Sequence, residues 1–178
     1  VKLESWYKNN MTSYTSQLED IGFCNDRTYY NFNTSGWNKD YSNYDKWLFF
    51  SSIQRLSNRK PSLVCPRQVD KFTVGTDNGN GKLTYPVGMI TAEEMAYAGG
   101  VIWQTNTSYY LYNGVHNWSF SPSTFDAVGA YEFDLRSSGL FSLNYVYTSC
   151  GVRPVISLKN GIVLSSGSGT SSSPYIVE

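Results

Sequence analysis

The sequence predicts an α+β domain in which N-terminal helices precede short antiparallel strands joined by long loops. Two observations favour this class. Apolar residues recur at three- and four-residue intervals near the N-terminus and around residues 91–98, whereas the chain beyond residue 101 alternates short strand patterns with turns. Early helices followed by late strands are typical of α+β rather than α/β domains. The length of 178 residues suits one domain with at most a small N-terminal extension.

Residues 1–20 are predicted to form a helical segment with a break. Leu3, Trp6 and Tyr7 begin a helical pattern that resumes at Met11 and ends near Leu18. We therefore divide the chain into this segment, residues 1–20, and a domain of residues 21–178. Because the sequence starts in mid-helix, we expect the segment to continue an upstream anchor or pilin helix.

The next part of the chain mixes a loop with short elements. Residues 29–38 are polar and aromatic with Gly and Asn punctuation, which predicts a long surface loop. Residues 44–56 are rich in apolar side chains and predict a short helix or an extended buried segment. Residues 71–74 and 83–90 are predicted as strands on either side of a turn at residues 77–81.

The best-defined helix begins at Thr91. Thr91 and Glu94 have the spacing of a capping box, in which each side chain bonds the other residue's backbone amide. The paired glycines Gly99 and Gly100 end the helix. Glu93 and Glu94 are expected to cap the helix and to face solvent.

Short strands dominate the rest of the chain. The predicted strands cover residues 101–103, 108–112, 116–119, 130–135, 139–143, 152–158, 162–164 and 174–177. Residues 165–173 are rich in Ser and Gly and indicate a linker.

Three cysteines are present, and their spacing fits no zinc site. Cys24 and Cys65 lie in similar, partly apolar settings, so we predict a disulfide between them. The alternative is three buried reduced thiols. Cys150 is unpaired in either case.

Composition excludes several classes of partner. Fourteen basic residues balance fourteen acidic residues, so the chain has no net field that would attract nucleic acid. No apolar run reaches 18 residues, and we expect no membrane insertion by this fragment. The 15 tyrosines, with abundant Ser and Asn, are typical of recognition loops, although Tyr is also a good strand residue.

Two stretches resemble known domains. Residues 85–100, with the Thr-Ala-Glu-Glu cap and the paired glycines, are similar to the strand–helix element of C-type-lectin-like domains, including formylglycine-generating-enzyme-like proteins. The order of residues 116–122, 130–133 and 151–155 is similar to the end of the same fold. The chain also resembles uncharacterised secreted or pilin-like surface proteins of Firmicutes-type bacteria, through residues 22–27, 151–155 and 169–176. The likeness covers most of residues 20–178 and implies a fold more strongly than a function.

The resemblance implies an absence of enzyme chemistry. Formylglycine-generating enzymes use a cysteine pair near the C-terminal end, where this chain has only Cys150. Sugar-binding lectins of this fold hold calcium through motifs that are absent here, and Trp37-Asn38 is followed by Lys39 rather than by a carboxylate. We therefore expect no catalytic residue, no cofactor and no metal. His116 lacks a recognisable triad context. Arg153, in an apolar strand, is expected to be a structural residue that bonds carbonyl or carboxylate groups.

The same resemblance directs attention to the loops of residues 105–150, which face the ligand in C-type-lectin-like folds. The chain is then a secreted or cell-surface bacterial binding or adhesion module whose ligand is a protein or glycan on another cell. The alternative is a pilin-like or envelope subunit that assembles with copies of itself. The side chains expected to bind the ligand, unless they only pack the strands and loops, are Tyr109, Tyr110, Tyr112, His116, Phe125, Tyr145 and Tyr147.

Overall fold

A computed structural model describes residues 2–30, 48–126, 128–170 and 172–177 and shows helices combined with antiparallel sheets. The α-helices are α1 Lys2–Asn10, α2 Ser51–Ser57 and α3 Ala92–Tyr97, and 3₁₀-helices span Thr12–Gln17 and Gln68–Asp70. The strands are β1 Phe23–Cys24, β2 Tyr29–Tyr30, β3 Leu48–Phe50, β4 Lys71–Phe72, β5 Gly88–Met89, β6 Asn117–Phe125, β7 Ala130–Leu135, β8 Phe141–Tyr145, β9 Pro154–Val155, β10 Leu164–Ser166 and β11 Ile176–Val177. The predicted α+β class is confirmed.

The principal sheet has five antiparallel strands in the order β2-β3-β6-β7-β8. Alternate side chains of β7 point to one face, where Phe133 and Leu135 are fully buried beside Phe141. Ile53 of α2 and Met95 of α3 close this core from the other side. Burying a side chain of this size contributes about 1.5–3 kcal/mol.

The capping box of α3 is confirmed. The Thr91 hydroxyl accepts the Glu94 amide at 3.2 Å, and the Glu94 carboxylate accepts the Thr91 amide at 2.7 Å. The expectation that Glu93 faces solvent is wrong. Its side chain is buried and paired with Arg55, because the first turn of α3 packs against α2. The Gly100 amide bonds the Met95 carbonyl at 2.9 Å where the helix ends.

The two stretches that suggested a lectin-type core lie side by side. Strand β5 pairs with β9 in antiparallel register, with Gly88 opposite Val155 and Met89 opposite Pro154. Gly88 cannot be replaced there, since a Cβ would lie 2.2 Å from the Phe23 ring. The capped helix and the strand that follows Arg153 therefore share one part of the fold, while the C-type-lectin-like assignment stays a prediction.

The N-terminal segment packs against the rest of the chain. Tyr7, Leu18 and Val87 form a small buried cluster, and the Tyr7 ring stacks on Tyr85 at 4.9 Å between centroids. Leu18 also forms a bridge with Leu158. As predicted, the segment is helical with a break after residue 10.

The disulfide between Cys24 and Cys65 is confirmed, and Cys150 is a half-buried free thiol. Most of the predicted surface loop at residues 29–38 lies outside the described residues, as do Trp37, Asn38 and Lys39. Helix α2 falls at the end of the segment predicted as helical or extended. The longest helix among the described residues has nine residues, which is too short to cross a bilayer.

The strand predicted at residues 108–112 is wrong, since these residues form turns. The Tyr112 amide bonds the Tyr109 carbonyl at 3.0 Å. The side chains of Asn106 and Asn113 each accept a backbone amide two residues further on. Such Asn turns compete with strand pairing, so side chains here do not alternate between two faces.

Candidate binding surface

Three stacked tyrosines lie at the end of the sheet where β6 and β8 finish and β7 begins. Tyr131 and Tyr145 face each other across β7 and β8 with ring centroids 4.2 Å apart. Tyr147 continues the stack at 4.8 Å from Tyr145, with an angle of 14° between the ring planes. We call Tyr131, Tyr145 and Tyr147 the tyrosine ladder. Its inner ring is buried and its outer ring, Tyr147, is 72% exposed.

A tight turn fixes the inner end of the ladder. One oxygen of Asp126 accepts the amides of Val128 and Gly129 at 2.8 and 2.9 Å. The other accepts the Tyr131 hydroxyl at 3.1 Å. Burial, together with hydrogen bonds to Tyr145 and Asp126, raises the pKa of Tyr131, so its hydroxyl stays protonated and continues to donate.

Aliphatic side chains widen the exposed surface around the ladder. Val128 is 71% exposed, and Val146 and Phe125 are nearly half exposed. Phe125 pairs with Ala130, and the Val146 amide bonds the Ala130 carbonyl at 3.0 Å, so all of them lie at the same end of the sheet. We call Phe125, Val128, Tyr145, Val146 and Tyr147 the apolar patch. Phe125 pairs with Ala130 and so lies on the face of the sheet opposite Tyr131 and Tyr145, and the patch is therefore defined by a shared end of the sheet and not by a shared face. Exposed apolar groups gathered in this way are typical of interaction sites.

The other predicted binding residues lie at the opposite end of the sheet, near the turn that joins β7 to β8. The five-residue step from Ala130 to Leu135 separates the two ends by about 17 Å. Tyr112 lies at the far end, where its hydroxyl donates to the Ser137 carbonyl at 2.9 Å. Tyr109 is packed into the principal core, and Tyr110 is 71% exposed without ring stacking among the described residues. The structure thus brings three of the seven residues, Phe125, Tyr145 and Tyr147, to one end of the sheet.

His116 pairs with a buried carboxylate. Its Nε2 atom contacts Oδ2 of Asp134, which has no solvent exposure, and Arg136 Nε lies 3.6 Å from the same oxygen. Burial and the Asp134 charge raise the pKa of the nearby Cys150 thiol, the opposite of what a nucleophilic cysteine requires. Within the described residues no hydroxyl or thiol is hydrogen-bonded to His116.

Sequence reasoning missed a buried ion network beside the disulfide. Arg55 of α2 bonds Glu93 of α3 through Nε at 3.0 Å and pairs with Asp26 through Nη1 at 2.9 Å. These residues line a cavity of about 450 Å³ that also reaches Cys24 and Cys65. The partners are 29 and 38 residues from Arg55 in the chain, so no local pattern could have identified them.

Arg153 has the structural role that the sequence suggested, since its Nη1 donates to the Leu111 carbonyl at 2.8 Å. The described residues contain no group of three or more His, Cys, Asp or Glu side chains that could hold a metal ion.

Comparisons with protein-family models, with curated proteins and with solved structures find no match for this chain, so its fold and surface are the only basis for a functional conclusion.

Proposed function

We propose that this chain is an extracytoplasmic ligand-binding or adhesion module of a bacterial surface protein, without catalytic activity. The observation that carries the proposal is the apolar patch, in which an exposed tyrosine is held in place by a stack of two others. Tyr offers a wide contact area at low entropic cost because it has few rotatable bonds. Stacking on Tyr145 restricts Tyr147 further before any ligand arrives.

The disulfide supports an extracytoplasmic location. Disulfides persist in secreted and cell-surface proteins and are rare where the cytosol keeps thiols reduced. The bond joins Cys24 of β1 to Cys65, 41 residues later, across the wall of the ion-lined cavity. The finer fold assignment, C-type-lectin-like, belongs to the same proposal and is supported by the pairing of β5 with β9.

The character of the patch favours a protein ligand over a glycan. Val128 and Val146 add exposed aliphatic surface at the same end of the sheet, and aromatic groups with aliphatic neighbours are typical of protein interface cores. The balanced charge of the whole chain supports a neutral ligand surface and gives no support to nucleic acid.

Self-assembly is the second candidate, and the apolar patch favours it as well, since exposed Val128 and Tyr147 could pack against a second copy. The edge of β8 is less suited to assembly. The Phe141 carbonyl accepts the Trp103 amide at 2.8 Å, and the Phe141 amide donates to the Gln104 carbonyl at 3.2 Å. The Arg136 guanidinium donates to the Leu143 carbonyl. Backbone groups that are already hydrogen-bonded are not available to pair with a strand of another copy.

Binding of the chain to immobilised extracellular matrix proteins and to a glycan array tests the proposal. We expect saturable binding, and we expect Tyr147→Ala to weaken it by at least about tenfold, as loss of an aromatic anchor does. The matched control is Tyr110→Ala, because Tyr110 is equally exposed but lies at the opposite end of the sheet.

Two results would reject the adhesion proposal: no binding to any member of either panel, or equal losses for the two variants. Sedimentation measurements over a range of protein concentrations address the second candidate. A dimer that Tyr147→Ala abolishes would assign the patch to self-assembly instead.

A further inference from the structure

A second concave site lies between α2 and the loop that follows α3. It is a cavity of about 250 Å³ lined by aromatic rings, by Ile53 and by uncharged polar side chains. It shares no residue with the apolar patch. We call it the Trp103 cleft, and it is lined by Tyr30, Phe49, Gln54, Ser57, Asn58 and Trp103.

Trp103 has a backbone conformation that is unfavourable for a bulky residue. Its φ angle is +66°, in the left-handed region that glycine adopts without cost. Hydrogen bonds hold it there: its amide donates to the Phe141 carbonyl at 2.8 Å, and the Gln104 amide donates to the Val101 carbonyl at 3.0 Å. Yet the side chain is 53% exposed, so core packing does not explain why a tryptophan occupies this position. Strained residues of this kind cluster at ligand sites.

The polar side chains of the cleft offer hydrogen bonds that no described residue uses. Gln54, Ser57 and Asn58 are spaced three and four residues apart and so share one face at the end of α2. Among the described residues, none of these three side chains has a hydrogen-bond partner. Their amide and hydroxyl groups both donate and accept, as hydroxyl-bearing ligands require.

Charge and size restrict what the cleft can hold. No charged side chain lines it among the described residues, so these residues offer an ionic ligand no compensation for its lost hydration. The volume lies below the roughly 300 Å³ at which pockets for drug-sized ligands begin. A single ring therefore suits it better than a large ligand.

We propose that the Trp103 cleft binds one neutral pyranose ring, with the apolar C–H face of the sugar on the indole and its hydroxyls on Gln54, Ser57 and Asn58. A pyranose combines an apolar face with hydroxyls at its rim, which matches aromatic rings together with amides that no described residue bonds. Indole is the largest aromatic surface available among side chains, and its electron-rich face attracts polarised C–H groups. This inference stands independently of the proposed function, because it uses different residues.

Ligand-observed saturation-transfer NMR with the full chain tests the proposal. The probes are methyl α-glucoside, methyl α-mannoside, methyl β-galactoside and N-acetylglucosamine, with glucuronate as a charged comparison. We expect at least one neutral probe to bind with a dissociation constant on the order of 1 mM, which ligand efficiencies allow for one ring. Binding of glucuronate alone would overturn the proposal, and so would an absence of binding by all neutral probes.

Three variants locate the binding. Trp103→Gly should abolish it while the chain stays folded, because glycine accepts the left-handed backbone. Trp103→Phe should keep an aromatic wall and lose affinity by less than about fivefold, and Asn58→Ala, at an exposed position, should weaken binding severalfold. Unchanged affinity in both Trp103→Gly and Asn58→Ala would place the sugar elsewhere. If Trp103→Gly fails to fold, Asn58→Ala alone decides.

Tyr147→Ala separates this inference from the proposed function. It should leave monosaccharide binding unchanged within about twofold, while it weakens binding to the macromolecular panel. A loss of monosaccharide binding in Tyr147→Ala, with no loss in Trp103→Gly, would assign the sugar to the tyrosine ladder and reject the Trp103 cleft.

Discussion

Replacing Glu132 with Gln should stabilise the protein, and the gain should grow with pH. Glu132 lies in the middle of β7, opposite Pro122 and Asn144. Burial raises the pKa of its carboxyl from 4.5 to about 7. No hydrogen bond or ion pair from the described residues compensates the charged form, and Asp134 follows on the same face of the strand.

The magnitude follows from linkage between protonation and folding. Because the folded pKa of Glu132 is raised, its contribution to stability is fully present below about pH 4.5 and is lost as pH rises towards about 7. A difference of about 2.5 pKa units corresponds to at most about 3 kcal/mol. The carboxyl keeps some contact with solvent, so we expect a loss of about 1–3 kcal/mol. Gln has the same shape and does not ionise, so Glu132→Gln should avoid this loss.

Urea unfolding monitored by tryptophan fluorescence measures the effect in both proteins at about pH 4 and about pH 8. The difference in unfolding free energy should be small at the lower pH and favour the variant at the higher pH. Glu4→Gln is a control of opposite sign, since the Thr84 amide hydrogen bond lowers the pKa of Glu4. That variant should lose stability above about pH 5. A pH-independent difference for Glu132→Gln would refute the reasoning.

Three further outcomes follow from the described contacts. Replacing both Cys24 and Cys65 with Ser should lower the unfolding free energy by about 4 kcal/mol, because the disulfide closes a loop of 41 residues. In the same urea titration, a reductant should lower the unfolding free energy of the wild type and leave that of the variant unchanged. Arg55→Met should lower the unfolding free energy by about 3–5 kcal/mol because it leaves buried Glu93 unpaired. Thermal unfolding of both variants should show a smaller loss of stability for Arg55→Lys, which keeps the positive charge. Thr91→Ala should cost about 1 kcal/mol through loss of the capping box, and an unchanged midpoint of unfolding would contradict that.

Local signals predicted the elements that local chemistry determines. The capping box of α3 is encoded within four residues, and β7 occupies the predicted residues 130–135 because its alternation is uninterrupted. The disulfide followed from two cysteines in similar settings. These features need little information from the rest of the chain.

The seven predicted binding residues lie at two opposite ends of the sheet because β6 is longer than the sequence predicted. The sequence predicted a strand of residues 116–119, while β6 runs from Asn117 to Phe125. Pro122 normally argues against a strand interior, but a register shift on each side of it lets the ladder continue. Asn117 pairs with Leu135 and Phe125 with Ala130, so the ends of β6 lie about 17 Å apart, and His116 and Phe125 cannot share one site. Recognition of that length from the sequence would have separated the two groups of residues in advance.

The described part of the chain pairs much of its buried charge within the fold and leaves the two proposed binding surfaces uncharged. Buried Asp70 is held by Arg27 and Arg67, each through Nε at 2.7 Å, and Asp134 is held by His116. Removing one partner of such a pair would leave a buried charge without compensation. The apolar patch and the Trp103 cleft are lined instead by rings, aliphatic groups, amides and a hydroxyl. Binding at either surface would then depend on shape and desolvation rather than on long-range attraction, and added salt should weaken it little.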